Sequence, residues 1–257
     1  MRRNRKNKKV VNTFTLVFTI FLVIVSYVPG IEALDTEQKI PGAHRGESVD
    51  HIENTIEAIE AALNDPNYQF IEIDVQYTKD KILVVHHDKK LFRLQLQPGS
   101  LPELTYQELR EVSTYHIPLY EEIMDLVGTE KTLNIEIKSQ GNFEDDKEIV
   151  DYVIKDCRKR GILKNTIISS ISKDIVKYVS ETYPEVKNGK IYLILPVTYL
   201  PIKSFAEKLF QETDEMGADY LMLHGINIRS YQLLNELKPS DQILAFWYFN
   251  NQMYLME

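Results

Sequence analysis

Acid/base, cationic and metal-binding side chains crowd three short stretches of this chain: His44-Arg45-Gly46, Glu72-Ile73-Asp74 and His87-Asp88. Imidazole moves protons near neutral pH, a guanidinium grips paired oxygens, and clustered carboxylates hold hard cations. Together they suit metal-assisted chemistry on a phosphodiester. Alternate strand residues share a face, so Glu72 and Asp74 project together while Ile71, Ile73 and Val75 project the other way. Two carboxylates aimed into one mouth repel unless a cation or proton lies between them. Glu136, in Leu133-Asn134-Ile135-Glu136-Ile137-Lys138, adds a third. Such oxygen donors suit one divalent cation, Mg²⁺ or Ca²⁺, and no Cys or His cluster suggests zinc.

Lys138 shares the face of Glu136 and can meet a phosphate oxygen or form an ordinary ion pair. His86 and His87 are neighbours facing opposite ways on a strand, and the residues alone do not choose between them. His51, His116 and His224 read as loop or strand-end histidines, and Glu47 and Asp50 as a solvated loop. Taken singly, each motif has a plain alternative: Glu-x-Asp is commonly a solvated face, and His-Arg-Gly a surface turn.

The elements that must position these groups alternate in type. Strand-like runs cover Lys39–His44, Phe70–Gln76, Thr132–Lys138, Thr166–Ser170, Lys190–Pro196, Ala218–His224 and Gln242–Phe249. Amphipathic stretches lie between them. Over Asn54–Asn64, Asn54 is the expected cap and Ile56, Ile59 and Leu63 share a stripe; over Asp145–Arg160 a second helix stops at Gly161. Continued alternation implies a parallel sheet, and at this length a (β/α) barrel. Tyr77-Thr78-Lys79-Asp80-Lys81 is too short for a helix, so Ile82–His87 returns directly and delivers a histidine to the mouth where barrel enzymes hold their chemistry.

Six Lys and Arg residues precede an uncharged, mostly apolar run, Val10–Val28. Its length, about 28 Å as a helix, approaches the hydrocarbon thickness of a bilayer, so residues 1–33 read as a signal anchor, or a signal peptide if cleaved. Either way the remainder, 34–257, is exported, with Pro29–Gln38 as a linker. Without the six basic residues of the leader the formal charge falls from −8 to −14. An acidic domain lacking a basic stripe argues against nucleic acid as a partner. Cys157, the only cysteine, reads as an unreactive thiol.

The ordered set His44-Arg45-Gly46, Glu53-Asn54-Thr55, Glu72-Ile73-Asp74, Val84-Val85-His86-His87-Asp88 and Ile135-Glu136-Ile137-Lys138 resembles the glycerophosphodiester phosphodiesterase family across roughly residues 40–250. In that family the catalytic histidine directly precedes Asp, which selects His87. The resemblance further implies a TIM (β/α)₈-type barrel and one divalent cation held by Glu72, Asp74 and Glu136. His44 and His87 then flank the phosphate as acid and base, with Arg45, Glu53 and Lys138 as substrate- or phosphate-binding positions. Trp247, in Trp247-Tyr248-Phe249-Asn250, matches the tryptophan that contacts the glycerol part. The implied reaction cleaves a glycerophosphodiester, small or lipid-derived, into glycerol 3-phosphate and an alcohol.

One departure is expected. In the family a further helix and strand follow Asn250, whereas here only seven residues do. The barrel is therefore expected to lack its last β/α unit, leaving two unpaired edges that a longer chain, or Asn251–Glu257 with a partner, would cover. Two other readings stand beside the first: a lysophospholipase D or sphingomyelinase-D-like lipid phosphodiesterase on the same barrel, and a non-catalytic, membrane-attached binding protein. The sequence carries no signal for oligomeric state.

Overall fold

A computed structural model describes residues 39–194, 203–248 and 252–256. The leader and linker fall outside these residues. Strands and helices alternate as β1 (Lys39–His44), α1 (Ile56–Asn64), β2 (Phe70–Tyr77), β3 (Leu83–Val85), α2 (Phe92–Gln95), α3 (Tyr106–Val112), α4 (Tyr120–Met124), β4 (Thr132–Ile137) and α5 (Phe143–Arg160). There follow β5 (Thr166–Ser170), α6 (Lys173–Thr182), β6 (Lys187–Tyr192), α7 (Lys203–Glu215), β7 (Tyr220–His224), α8 (Tyr231–Leu237), β8 (Ile243–Trp247) and β9 (Gln252–Met256). No helix among the described residues is long and apolar enough to cross a membrane.

Strands β1, β2, β4, β5, β6, β7 and β8 run parallel to their neighbours, and β9 closes the ring by pairing with both β8 and β1. The expected open barrel is thereby corrected. The chain after Trp247 returns antiparallel, a connection that needs no crossover helix, so a short tail suffices where a parallel strand would need a dozen or more residues. In Gln252-Met253-Tyr254-Leu255-Met256 the alternation places Met253 and Leu255 in the barrel interior while Met256 joins the outer core. Lys39 pairs with Met256 on one side and Trp247 with Met253 on the other, so neither β1 nor β8 is left with a free edge.

Two cores follow from the two faces of the strands. Phe70, Ile167, Ile191, Met222 and Leu255 fill the barrel, while Ile71, Ile73, Val75, Ile135 and Ile137 pack outward against α1, α4 and α5. Gly42 belongs to the first core by default, since a Cβ there would lie 2.2 Å from the Phe70 ring. Cys157 is buried in the second, with its Sγ 3.8 Å from the Tyr120 hydroxyl.

Helix boundaries shift where a neighbouring residue caps better. Helix α5 begins two residues before the predicted start because Asn142 accepts from the Glu144 N–H at 3.0 Å, and it ends at left-handed Gly161, φ 76°. Helix α1 is capped not by Asn54 but by Thr55, whose Oγ1 accepts from Ala58 N–H at 3.2 Å. Asn54 is engaged elsewhere. Strand β6 starts at Lys187 rather than Lys190, pairing its polar first half with β5; Pro196 and Phe249, the predicted ends of two runs, lie outside the described residues.

The short return is as expected. Strand β3 pairs antiparallel with β2, Val75 opposite Val85, after a turn in which Lys81 N–H donates to Thr78 O at 3.0 Å. His86 N–H then donates to Asp74 O at 2.9 Å, bringing the two histidines to the depth of the acidic residues.

Candidate active site

Parallel register does most of the assembly. His44 lies opposite Glu72 across β1 and β2, Glu72 opposite Asn134, and Asp74 opposite Glu136 across β2 and β4. All point into the barrel near the carboxyl ends of the strands, where Asp74 is fully buried. Carboxylate oxygens of Glu72, Asp74 and Glu136 lie within 4.8 Å of one another.

Two cations and two amides, the Arg45 backbone and the Asn54 side chain, hold these acids. Lys138 Nζ lies 2.8 Å from Asp74 and 2.6 Å from Glu136. Arg45 Nε lies 3.4 Å from Asp74, and the Arg45 N–H donates to Glu72 Oε2 at 2.8 Å. Burial works against the Asp74 charge, but Lys138, His87 and Arg45 overcome it and hold this carboxyl well below its usual range. Glu72 goes the other way: burial, then repulsion from Asp74 and Glu136, pushes it well above the usual carboxylate range. Burial likewise raises Glu136, with Lys138 opposing.

The donor set fits a hard divalent cation. Glu72 Oε1 is buried without a hydrogen-bond partner, which is costly unless something positive meets it. Three carboxylates face Arg45 and Lys138, leaving one negative charge, a surplus that suits one divalent cation together with one phosphodiester anion.

The backbone before α1 is bent to reach this cluster. Arg45 and Asn54 both adopt left-handed conformations, φ 65° and 58°, and the Asn54 N–H donates to Arg45 O at 2.9 Å. Gly46 between them has φ 80°, and a Cβ there would lie 2.8 Å from the Ala58 carbonyl. Only glycine fits that turn against α1.

Both histidines have one ring nitrogen fixed. His44 Nδ1 is 2.7 Å from the Tyr248 carbonyl, which can only accept, so Nδ1 carries the proton and Nε2 keeps its lone pair, 3.8 Å from Glu72. Burial, reinforced by Arg45, lowers the His44 pKa to about 3. His87 Nδ1 lies 2.6 Å from Asp88 Oδ1, a carboxylate that again orders the tautomer and leaves Nε2 for the mouth. His86, its neighbour, is buried and pushed to about 4 by that burial. The pocket is lined by His44, Arg45, Glu72, His87, Glu136 and Lys138 on its ionic side, and by Ile171, Ile191, Trp247 and Met253 on its apolar side.

The candidate site residues from the sequence, Glu53 apart, therefore gather at one mouth. Glu53 stands just behind, its Oε1 accepting from Arg45 Nη1 at 2.7 Å. His224, read as an ordinary strand-end histidine, stacks edge-on to Trp247 with ring centroids 4.8 Å apart. Three participants escaped sequence reasoning. Asn54 was read as a helix cap, although Asn tolerates the left-handed region that a turn beside Gly46 requires. Arg93 sits on the short helix α2, a stretch too brief to show a periodicity, and Met253 belongs to the unexpected strand.

The chain is similar to known proteins in sequence and in fold. The glycerophosphoryl diester phosphodiesterase family matches residues 44–256. A glycerophosphodiester phosphodiesterase of Caldanaerobacter subterraneus is 32% identical over 161 residues, which is 58% of this chain and 65% of that protein. One from Bacillus altitudinis is 39% identical over 109 residues, 38% of this chain and 44% of its own length. The chain thus spans less than two thirds of the curated relatives it matches first. Among solved structures, the glycerophosphodiester phosphodiesterase of Thermotoga maritima superposes with a TM-score of 0.60 at 27% identity, covering 80% of this chain and 83% of that one. By matched length, ordered motifs and fold, the chain belongs to the glycerophosphoryl diester phosphodiesterase family.

Proposed function

We propose that the chain hydrolyses glycerophosphodiesters to glycerol 3-phosphate and an alcohol, using His44 and His87 as the proton-transfer pair. The observation that carries this reading is that both imidazoles line one pocket beside the acidic cluster, each with Nδ1 held by an acceptor. Glu72, Asp74 and Glu136 would hold Mg²⁺ or Ca²⁺, which supplies Lewis-acid polarisation of a phosphoryl oxygen when bound. Arg45 and Lys138 offset the charge that grows on the phosphoryl oxygens. His44, neutral with a free Nε2, takes a proton from the attacking water, and His87 delivers one to the departing alkoxide. Trp247 and Met253 give the carbon skeleton of the substrate an apolar wall.

The test is release of glycerol 3-phosphate from glycerophosphocholine with Mg²⁺, with Ca²⁺ and with chelator, using wild type, His44→Ala and His87→Ala. Metal-dependent release that falls about 10²-fold or more in each variant is expected. Absence of release with either ion, or full activity in either variant, overturns the reading. Lysophosphatidylcholine as a second substrate separates the lipid phosphodiesterase alternative.

We also infer from the apolar leader that the domain is exported and either anchored or secreted. The run Val10–Val28 supports this reading. Fractionation of the native host tests it: the domain in the membrane or culture supernatant is expected, and recovery solely from the cytosol overturns the inference.

A further inference from the structure

Arg93 belongs to none of the motifs that define the site, and its side chain is 46% exposed and does not line the pocket. Its guanidinium nevertheless bonds along two edges. Nε donates to Asp88 Oδ2 at 2.5 Å, while Nη2 and Nη1 donate to Glu53 Oε1 and Oε2 at 2.6 and 2.8 Å. Glu53 Oε1 also accepts from Arg45 Nη1, and the other Asp88 oxygen meets His87 Nδ1. The result is one continuous path, Arg45–Glu53–Arg93–Asp88–His87, linking the cation of the β1–α1 loop to the imidazole that follows β3.

We propose that Arg93 is a positioning residue that holds Asp88 against His87, so that the imidazole presents Nε2 to the leaving oxygen of the substrate. Asp88 is joined to no other side chain in this network, so without Arg93 its carboxylate is free to rotate away from His87. A single half-exposed ion pair would be too weak for this task. A forked guanidinium tied to two carboxylates at fixed angles is not, because its planar geometry orders both partners at once. Asp88 bears the mark of the contact: burial would raise its carboxyl, yet hydrogen bonds from His87 and Arg93 hold it well below the usual range. The fork on Glu53 steadies Arg45 in the same way.

This proposal rests on His87 as the acid, and the test separates the two. Protonation matters when an alkoxide leaves and little when p-nitrophenolate leaves. Turnover of glycerophosphocholine is therefore compared with that of glycerol p-nitrophenyl phosphate, which shares the glycerol and differs in the leaving group. In Arg93→Gln, kcat on the choline ester should fall about tenfold to a hundredfold and on the p-nitrophenyl ester by less than about threefold, while Arg93→Lys, charged but without the fork, loses an intermediate amount. His87→Ala should discriminate between the esters more strongly still. Equal losses on both esters in Arg93→Gln, or no loss on either, with discrimination intact in His87→Ala, overturn the role of Arg93 alone. Equal losses in His87→Ala overturn the acid assignment and the proposal with it.

Discussion

Asn54 and Asp74 grip each other twice: the Asn54 amide donates to Asp74 Oδ2 at 2.7 Å, and the Asp74 backbone N–H donates to Asn54 Oδ1 at 3.2 Å. The pair fixes which way the central carboxylate points. Asn54→Ala should weaken divalent-cation affinity by about tenfold to a hundredfold and cost about 1–3 kcal/mol of stability through the unpaired Asp74 groups. Calorimetric metal titration checks the first and urea unfolding the second. Unchanged affinity would show that Lys138 and Arg45 orient Asp74 without Asn54.

Glu72 is the strained member of the acidic cluster. Replacing it with Gln removes one of three mutually repelling charges, so the metal-free protein should melt at a higher temperature than wild type. The same change removes a ligand. Wild type, by contrast, should gain about 2.7 kcal/mol at a cation concentration a hundredfold above its Kd, a shift that Glu72→Gln loses. Melting curves with chelator and with Mg²⁺ or Ca²⁺ read both effects, and a lowered melting temperature in the metal-free variant would contradict the repulsion.

His86 sets part of the acid sensitivity. Its folded pKa of about 4 lies below the 6.5 of an exposed histidine because burial disfavours the cation. Between those values the unfolded chain binds more protons, so stability is fully present above pH 6.5 and declines as pH falls toward 4. At pH 5 the loss from this group is about 2 kcal/mol. His86→Leu should flatten the difference between urea unfolding at pH 7.5 and pH 5 by that amount. An unchanged difference would assign the acid loss to other groups.

Strand β9 closes the barrel, so a chain ending at Asn251 should leave β1 and β8 as free edges and associate through them. Size-exclusion chromatography and near-ultraviolet dichroism of that variant are expected to show large species without fixed tertiary packing. A monomer with native dichroism would mean that β9 is dispensable. A milder variant, Leu255→Ala, should cost about 2–5 kcal/mol by opening a cavity in the barrel interior.

What the sequence made legible and what it hid divide along the reach of each interaction. The ends of β1 and β5 fall where the apolar runs end, and all the acidic and imidazole groups of the mouth were found, because strand alternation and parallel register are short-range rules. Asn54 was misread because its local pattern is that of a cap, while its partner Asp74 is remote in the chain. The polar start of β6 lay outside the predicted run, yet Gly189 is needed there: the Met222 methyl lies 2.3 Å from where its Cβ would be. The expected missing strand followed from the resemblance, which puts a helix before the last strand. A hairpin needs far less chain, and nothing in five alternating residues announces which neighbour they will join.

The reversed direction of β9 has a consequence for how the molecule can be attached to anything else. A parallel last strand would carry the chain up to the rim of the mouth, whereas β9 starts beside Trp247 at that rim and descends, ending with Met256 opposite Lys39. Entry and exit of the folded body thus share one pole, the one farthest from the catalytic cleft. Any tether, tag or further domain joined at Lys39 or Met256 is attached at that pole, opposite the mouth that holds the acidic cluster.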